Sequence, residues 1–198
     1  MPKEILLATR NLDKIKELSL LLDDDVIIHQ AGEFSNEEVE ESGASLGENA
    51  MLKAKNGFYH SGLPTVADDT GLEVDALNGA PGVHSSRYAG NNASYDDNVN
   101  KLLEVIINVP DAQRTARFRT VIAYVDQNRV ERFEGVLEGR ILREKRGENG
   151  FGYDPVFLPG GSEKTLAELP TAQKNQISHR GKAFQTFIRW WKEVKGNQ

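Results

Sequence analysis

The stretch EILLATRNLDKIKELSLLLDDDVIIH, residues 4–29, decides the fold class. Residues 4–8 form a short apolar run that gives way to Thr9, Arg10 and Asn11, the pattern of a strand feeding a polar loop. Leu12, Ile15, Leu18, Leu21 and Leu22 then recur at helical spacing. Residues 26–29 read as a second strand. Strand, loop, helix and strand in so short a span is the opening of an α/β domain.

Working outward, Ser45 stands three residues before Glu48, a capping-box signature. It opens a helix whose apolar face is Leu46, Ala50, Met51, Ala54 and Phe58. Residues 64–67 read as a strand that ends on Asp68-Asp69. A long irregular segment follows, punctuated by Gly71, Gly79, Pro81, Gly82 and Gly90. Ser94 with Asp97 opens another helix, with Val99, Leu102, Leu103, Ile106 and Ile107 facing inward. Residues 118–125 and 130–141 are extended, and Asp126-Gln127-Asn128 between them predicts a hairpin. Residues 147–155 form a glycine-rich loop. The last helix begins near Ser178 and carries the stripe Ala183, Phe184, Phe187, Ile188, Trp191 and Val194. One of Trp190 and Trp191 is read as core. The other is either an interface anchor or an ordinary half-exposed tryptophan.

The 198 residues suit one large domain or two closely joined lobes, and we read 1–198 as a single domain. Hydrophobic residues make up 38% and charged residues 27%, which excludes a disordered composition. Cysteine is absent, so disulfides, thiolate metal sites and cysteine nucleophiles are excluded. The formal net charge of −6 argues against a nucleic-acid partner, whose phosphates call for a basic surface. A small anionic substrate remains possible where cations are concentrated locally or a metal bridges the charges. The apolar run at residues 5–8 is too short for a signal peptide or a membrane span, so cytoplasm is the expected compartment and no membrane partner is expected.

Five runs offer chemistry. Asp68-Asp69-Thr70-Gly71 places two acids beside a glycine, which suits Mg²⁺ held by one or two carboxylates and substrate phosphates. Taken alone, such a run is more commonly a surface turn. Thr9-Arg10-Asn11-Leu12-Asp13-Lys14 lies at a helix start, where backbone N–H groups favour phosphate. It lacks the glycines of a P-loop, and the same residues also make a helix cap with an exposed lysine. Lys53 sits beside Ala50, Met51 and Ala54, where a lysine ordinarily belongs to the solvated face. In Gly150-Phe151-Gly152-Tyr153-Asp154-Pro155 the glycines allow close approach to a flat ring. Phe151 or Tyr153 could stack on it, with Asp154 accepting from a ring N–H. Ser178-His179-Arg180 puts two donors at a helix N-terminus, against the dipole's preference, which suggests an anionic or carbonyl-rich ligand. Lys174 lies one turn earlier. Each run also has an ordinary structural reading.

Their order and spacing together are specific. Thr-x-Asn-x-x-Lys at residue 9, Asp-Asp-Thr-Gly-Leu at 68, Gly-Phe-Gly-Tyr-Asp-Pro at 150 and Ser-His-Arg at 178 resemble the inosine/xanthosine triphosphate pyrophosphatase family over residues 5–191. Residues 80–88 look like that family's pattern too. The resemblance implies an elongated two-lobed α/β fold around a curved mixed sheet, with a nucleotide cleft between the lobes. It implies a homodimer that uses Mg²⁺ to hydrolyse ITP, dITP and XTP to the monophosphate and pyrophosphate. Asp69 resembles the general base and a metal-associated acid, with Glu41 a metal ligand and Asp68 supporting at the metal. The acidic segment also offers Glu37, Glu38 and Glu40. Thr9, Asn11, Lys14, Lys53 and Thr70 look like phosphate contacts, with Arg10, Leu12 and Asp13 in the same substrate-binding loop. Phe151, Gly152, Tyr153, Asp154, Lys174, His179 and Arg180 look like base or nucleotide contacts. Thr70 stands where the family more often has serine, and Asn149 where glycine is common.

The expected chemistry is attack of water on the α-phosphate, with Asp69 taking the proton and Lys14 and Lys53 stabilising charge on the leaving pyrophosphate. Donors from His179, Arg180 or nearby backbone would satisfy the 6-carbonyl of hypoxanthine or xanthine and oppose the amino group of adenine. Two other readings compete: a pyrophosphatase for modified pyrimidine or methylated nucleotides, and a nucleotide-binding sensor without catalysis.

Overall fold

The computed structural model describes residues 3–22, 26–35 and 39–196. The opening is as read: β1 (Lys3–Leu7), α1 (Leu12–Ser19) and β2 (Val26–Gln30), with β1 and β2 parallel and Ile5 opposite Ile28. Parallel neighbours need a crossover, and α1 supplies it. Ser45 caps α2 (Leu46–Ser61) by accepting from Glu48 N–H, and Gly62 closes it in the left-handed conformation that glycine adopts cheaply. A Cβ on Gly57 would come within 3.1 Å of Thr65 Cγ2, Leu6 Cδ2 and Ala8 Cβ, so α2 lies close on the strands beneath.

The strand carrying the two acids departs from expectation. β3 runs from Thr65 to Val74, so Asp68 and Asp69 lie inside a ten-residue strand and not at its end. It pairs parallel with β1, Leu7 opposite Val66, and antiparallel with β4 (Pro81–Gly82), Leu72 opposite Gly82. Eight of its ten residues are buried without alternation, as in a strand covered on both faces. Asp and Gly are poor strand formers, and here pairing and burial override that preference. Glu73 is half-buried and accepts from Arg119 Nε at 2.9 Å; Asp75 lies just past the strand and accepts from Arg117 and Thr115.

The remaining strands are β5 (Thr115–Val125), β6 (Val130–Ile141) and β7 (Phe157–Pro159). The predicted hairpin between β5 and β6 forms, with Asp126 accepting from the N–H groups of Asn128 and Arg129. The seven-stranded mixed sheet has the order β2-β1-β3-β5-β6-β7, with β4 on β3. Ser94 and Asp97 cap α3 (Tyr95–Val105) reciprocally, as expected. Val99, Leu102 and Ile106 are buried, but Ile107 lies beyond the helix and is 62% exposed. A short helix that the periodicity did not reveal, α4 (Thr171–Ile177), precedes α5 (His179–Gly196).

The chain divides into two compact units. The first comprises Met1–Asp69, Thr120–Gly135 and Arg180–Gln198; Ile5, Leu7, Leu18, Val66, Ile122, Phe184 and Phe187 fill its core. Trp191 is buried there and Trp190 partly so, against Tyr124 and Phe133. The second comprises Thr70–Arg119 and Val136–His179, around Leu72, Val99, Leu102, Phe118, Val156 and Phe157. In it, buried Arg114 donates to the carbonyls of Ile141, Ile106 and Leu142.

One pH-dependent feature lies on the first unit's edge. His29 sits between two carboxylates, Nδ1 at 3.1 Å from Glu33 and Nε2 at 3.1 Å from Glu4. The hydrogen bond to Glu33 leads in holding its pKa above the ordinary 6.5, with Glu4 adding to it against slight burial. A raised folded pKa means the stabilisation is full below the unfolded value and fades as pH rises through the folded one. In an NMR titration we expect His29 to titrate above 6.5 and Glu33→Gln to bring it down; an unshifted midpoint would contradict the contact.

Candidate active site

The first unit brings six predicted residues to one place: Lys14, Glu41, Lys53, Asp68, Asp69 and Arg180. Asn11 caps α1: its Oδ1 accepts from Asp13 N–H at 3.0 Å and Lys14 N–H at 3.2 Å, while Thr9 Oγ1 accepts from Asn11 N–H. The loop thus satisfies part of its own helix end, as the cap reading had it. Arg10 donates to Ser35 O, Leu12 is 73% exposed, and Asp13 is exposed. Lys14 departs from the cap reading. It is mostly buried, with Nζ 2.9 Å from Asp68 Oδ2.

Consecutive strand residues point to opposite faces, and Asp68 and Asp69 have different partners. Asp68 meets Lys14 and, at 3.4 Å, Arg180 Nε; Arg180 Nη1 also bonds Glu17. Burial pushes the Asp68 carboxyl up, but Lys14, Arg180 and Lys53 outweigh it and hold the group well below the usual carboxylate range. Asp69 Oδ1 accepts from Lys53 Nζ at 3.1 Å and Oδ2 from Asn49 Nδ2 at 3.2 Å. Burial raises the Asp69 carboxyl; Lys53 opposes and nearby Glu41 adds to the rise. Two adjacent acids are thereby driven apart, the pattern that separates a charge partner from a proton acceptor. The lysines divide too. Burial lowers Lys14 despite Asp68, whereas Asp69, Asp68 and Glu41 together outweigh burial and raise Lys53.

Lys53 does not belong to a solvated face: its side chain is 13% exposed, and Nζ also lies 2.6 Å from Glu41 Oε1. Glu41 and Asp69 therefore converge on one positive charge. Two hard oxygen donors aimed at a cation fit Mg²⁺, which takes one or two protein carboxylates and completes its shell with phosphate and water. Among the described residues no group of three or more acids or histidines has metal-binding geometry, so the fit rests on this pair. Asp68 faces cations instead, and Glu37 and Glu38 lie outside the described residues.

The second unit gathers the other set. Lys174 Nζ is 2.5 Å from Asp154 Oδ2, with both side chains buried, and lies 4.8 Å from the centre of the Phe151 ring. Asp154 Oδ2 also accepts from Phe151 N–H at 2.9 Å. Gly150 has φ +73°, and a Cβ there would overlap Asp154 Oδ2, so the tight turn requires glycine. The Phe151 ring is half-buried, with Tyr95 at 5.6 Å. Tyr153 is a core residue whose hydroxyl donates to Ser85 O, which leaves Phe151 as the motif's partly exposed ring. His179 is buried, stacked on Phe118 at 4.5 Å. His179 and Arg180, neighbours in sequence, belong to different units. Gly152 and Thr70 are half-buried.

Sequence reasoning missed Glu17, Asn49 and Tyr95. Glu17 lies three residues after Lys14, a spacing that puts both on one helix face. Asn49, three after Leu46, is a polar residue in phase with an apolar stripe, which is itself a signal. Tyr95 offered none.

A family model described as the Ham1 family matches residues 5–190. A dITP/XTP pyrophosphatase of Thioalkalivibrio sulfidiphilus is 47% identical over 189 residues, covering 93% of this chain and 96% of its own length. One of Vibrio cholerae is 47% identical over 193 residues, covering 94% and 96%. A solved structure of a HAM1 protein from Coxiella burnetii is similar with a TM-score of 0.89 at 43% identity, covering 96% of this chain and 99% of that one.

Proposed function

Because the chain belongs to the Ham1 family, we propose that the side-chain set of its first unit carries phosphate chemistry and that the set of its second unit recognises a purine base. The protein is a nucleoside-triphosphate pyrophosphohydrolase that removes non-standard purine triphosphates, ITP, dITP and XTP, as monophosphate and pyrophosphate. The observation that carries the mechanism is the split of Asp68 from Asp69. Asp68 is a fixed counter-charge for Lys14 and Arg180. Asp69 accepts the proton of a water that attacks the α-phosphate, and Lys14 and Lys53 turn to the leaving pyrophosphate.

Three cations, Lys14, Lys53 and Arg180, face four carboxylates, Asp68, Asp69, Glu41 and Glu17. So balanced a set does not attract a polyanion by itself, which supports a need for Mg²⁺, held by Glu41 and Asp69. When bound, the ion neutralises phosphate charge and orients its oxygens. In the second unit Phe151 stacks on the base, while Lys174 and His179 supply donors for a 6-carbonyl. An adenine amino group there would leave buried donors unpaired. We take the working form to be a cytoplasmic homodimer, as the family resemblance implies. No described helix is long and apolar enough to cross a membrane.

The test offers ITP, XTP, ATP, GTP, dTTP and UTP with Mg²⁺ and identifies the products. We expect pyrophosphate from ITP and XTP, and a kcat/KM for ATP lower by on the order of 10⁴-fold. Inorganic phosphate as product, equal rates on ATP, or tight ITP binding without hydrolysis would each sink the reading.

A further inference from the structure

We propose that Asn49 is a positioning residue whose side-chain amide joins Asp69 to the loop bearing Glu41, setting the two acids relative to one another before a ligand arrives. The proposal rests on the reading above, in which Asp69 is the base and shares a cation with Glu41.

Asn49 is completely buried on the first turn of α2. Its Nδ2 donates to Asp69 Oδ2 at 3.2 Å, and its Oδ1 accepts from Gly43 N–H at 2.8 Å. The amide has one workable orientation, because a backbone N–H only donates and a carboxylate only accepts. The loop lies hard against α2 here. A Cβ on Gly43 would fall 2.7 Å from Asn49 Oδ1 and 2.7 Å from Glu48 Cβ, so any larger residue displaces the backbone two positions from Glu41. Lys53, one helical turn after Asn49, binds the other oxygen of Asp69 and also Glu41. Asp69, Asn49, Gly43, the chain to Glu41, and Lys53 thus form a closed ring of contacts. The two oxygens of Asp69 are held by residues i and i+4 of one helix, the spacing that puts side chains side by side. Without Asn49 the ring opens on the side away from Lys53. The carboxylate is then free to rotate, and the Glu41 loop loses its tether.

Partners that orient a metal-binding carboxylate typically account for 10–100-fold in metal affinity or activity. The experiment compares wild type, Asn49→Ala and Asn49→Asp in full-length protein. It measures kcat and KM for ITP, melting temperature, and binding of Mg²⁺ alone by calorimetry. For Asn49→Ala we expect kcat lower by about 10–100-fold, KM for ITP within about threefold, and the Mg²⁺ dissociation constant raised by a similar 10–100-fold. Asn49→Asp keeps the shape and the acceptor for Gly43 N–H but turns an oxygen toward Asp69, so kcat falls by at least about tenfold. A folded Asn49→Ala with unchanged kcat and Mg²⁺ binding overturns the proposal. So does a loss that tracks melting temperature and leaves Mg²⁺ binding alone. If Asn49→Ala does not fold, an Asn49→Asp protein with full kcat overturns it. Wild-type protein inert on ITP would defeat the functional reading instead, while Mg²⁺ calorimetry, which needs no substrate, still decides the role of Asn49.

Discussion

Asp69→Asn yields a folded protein that binds ITP nearly as well as wild type and turns it over at least about 10³-fold more slowly, within the range that a positioned general base contributes. The substitution keeps the shape and one accepting oxygen, enough for Lys53 or Asn49 but not for both, because its NH2 then faces the other donor. What is lost is the negative charge that accepts a proton. Burial and Glu41 raise the Asp69 carboxyl while Lys53 opposes, which fits a proton acceptor better than the fixed anion at Asp68. The effect falls on kcat because the residue acts on the attacking water and not on the nucleotide. Pyrophosphate release and equilibrium ITP binding measure the two quantities separately. A variant that retains activity would show that the base lies elsewhere.

Asp68→Ala acts on stability first. The side chain is fully enclosed, with Lys14 and Arg180 against the same oxygen. Removing it leaves two buried cations, Arg180 with Glu17 bonded to it and Lys14 with Asp69 as a remaining nearby carboxylate. Taking one partner from a buried ion pair costs about 3–5 kcal/mol, because the remaining charge keeps its desolvation penalty. For a chain of this size each kcal/mol lowers the melting temperature by about 2–4 °C, so a fall of roughly 10 °C is expected in a thermal melt. A change of only a degree or two would mean that water already screens this charge.

Much of this arrangement is legible in the chain before it folds. Ser45 and Ser94 cap helices where their spacing to Glu48 and Asp97 says they should, because capping is settled within one turn. The hairpin at Asp126 is local for the same reason. The extent of β3 was not legible. Asp68-Asp69-Thr70-Gly71 has the composition of a turn, and what makes it strand is the place of β3 in the sheet between β1 and β5, both distant in sequence, together with buried counter-charges from two helices. The site shows the same division. Lys14 and Lys53 stood out only as members of an ordered set, since nothing near them in sequence says that they are buried. Asn49 and Glu17 were missed because a polar residue on a helix is ordinarily solvated.

The way the chain is shared between its units bears on how it is made. The first unit needs three separate stretches, and Phe184, Phe187 and Trp191 of its core arrive on the last of them. During synthesis the strand and helix that open the protein leave the ribosome well over a hundred residues before those aromatic rings. Until then Ile5, Leu7 and Val66 lack the side chains that cover them, and Asp68 is without Arg180. The second unit, complete once His179 has emerged, has all its own parts first. The unit whose first stretch is made earlier is thus the one finished later, and Asp68 waits for Arg180, 112 residues further on.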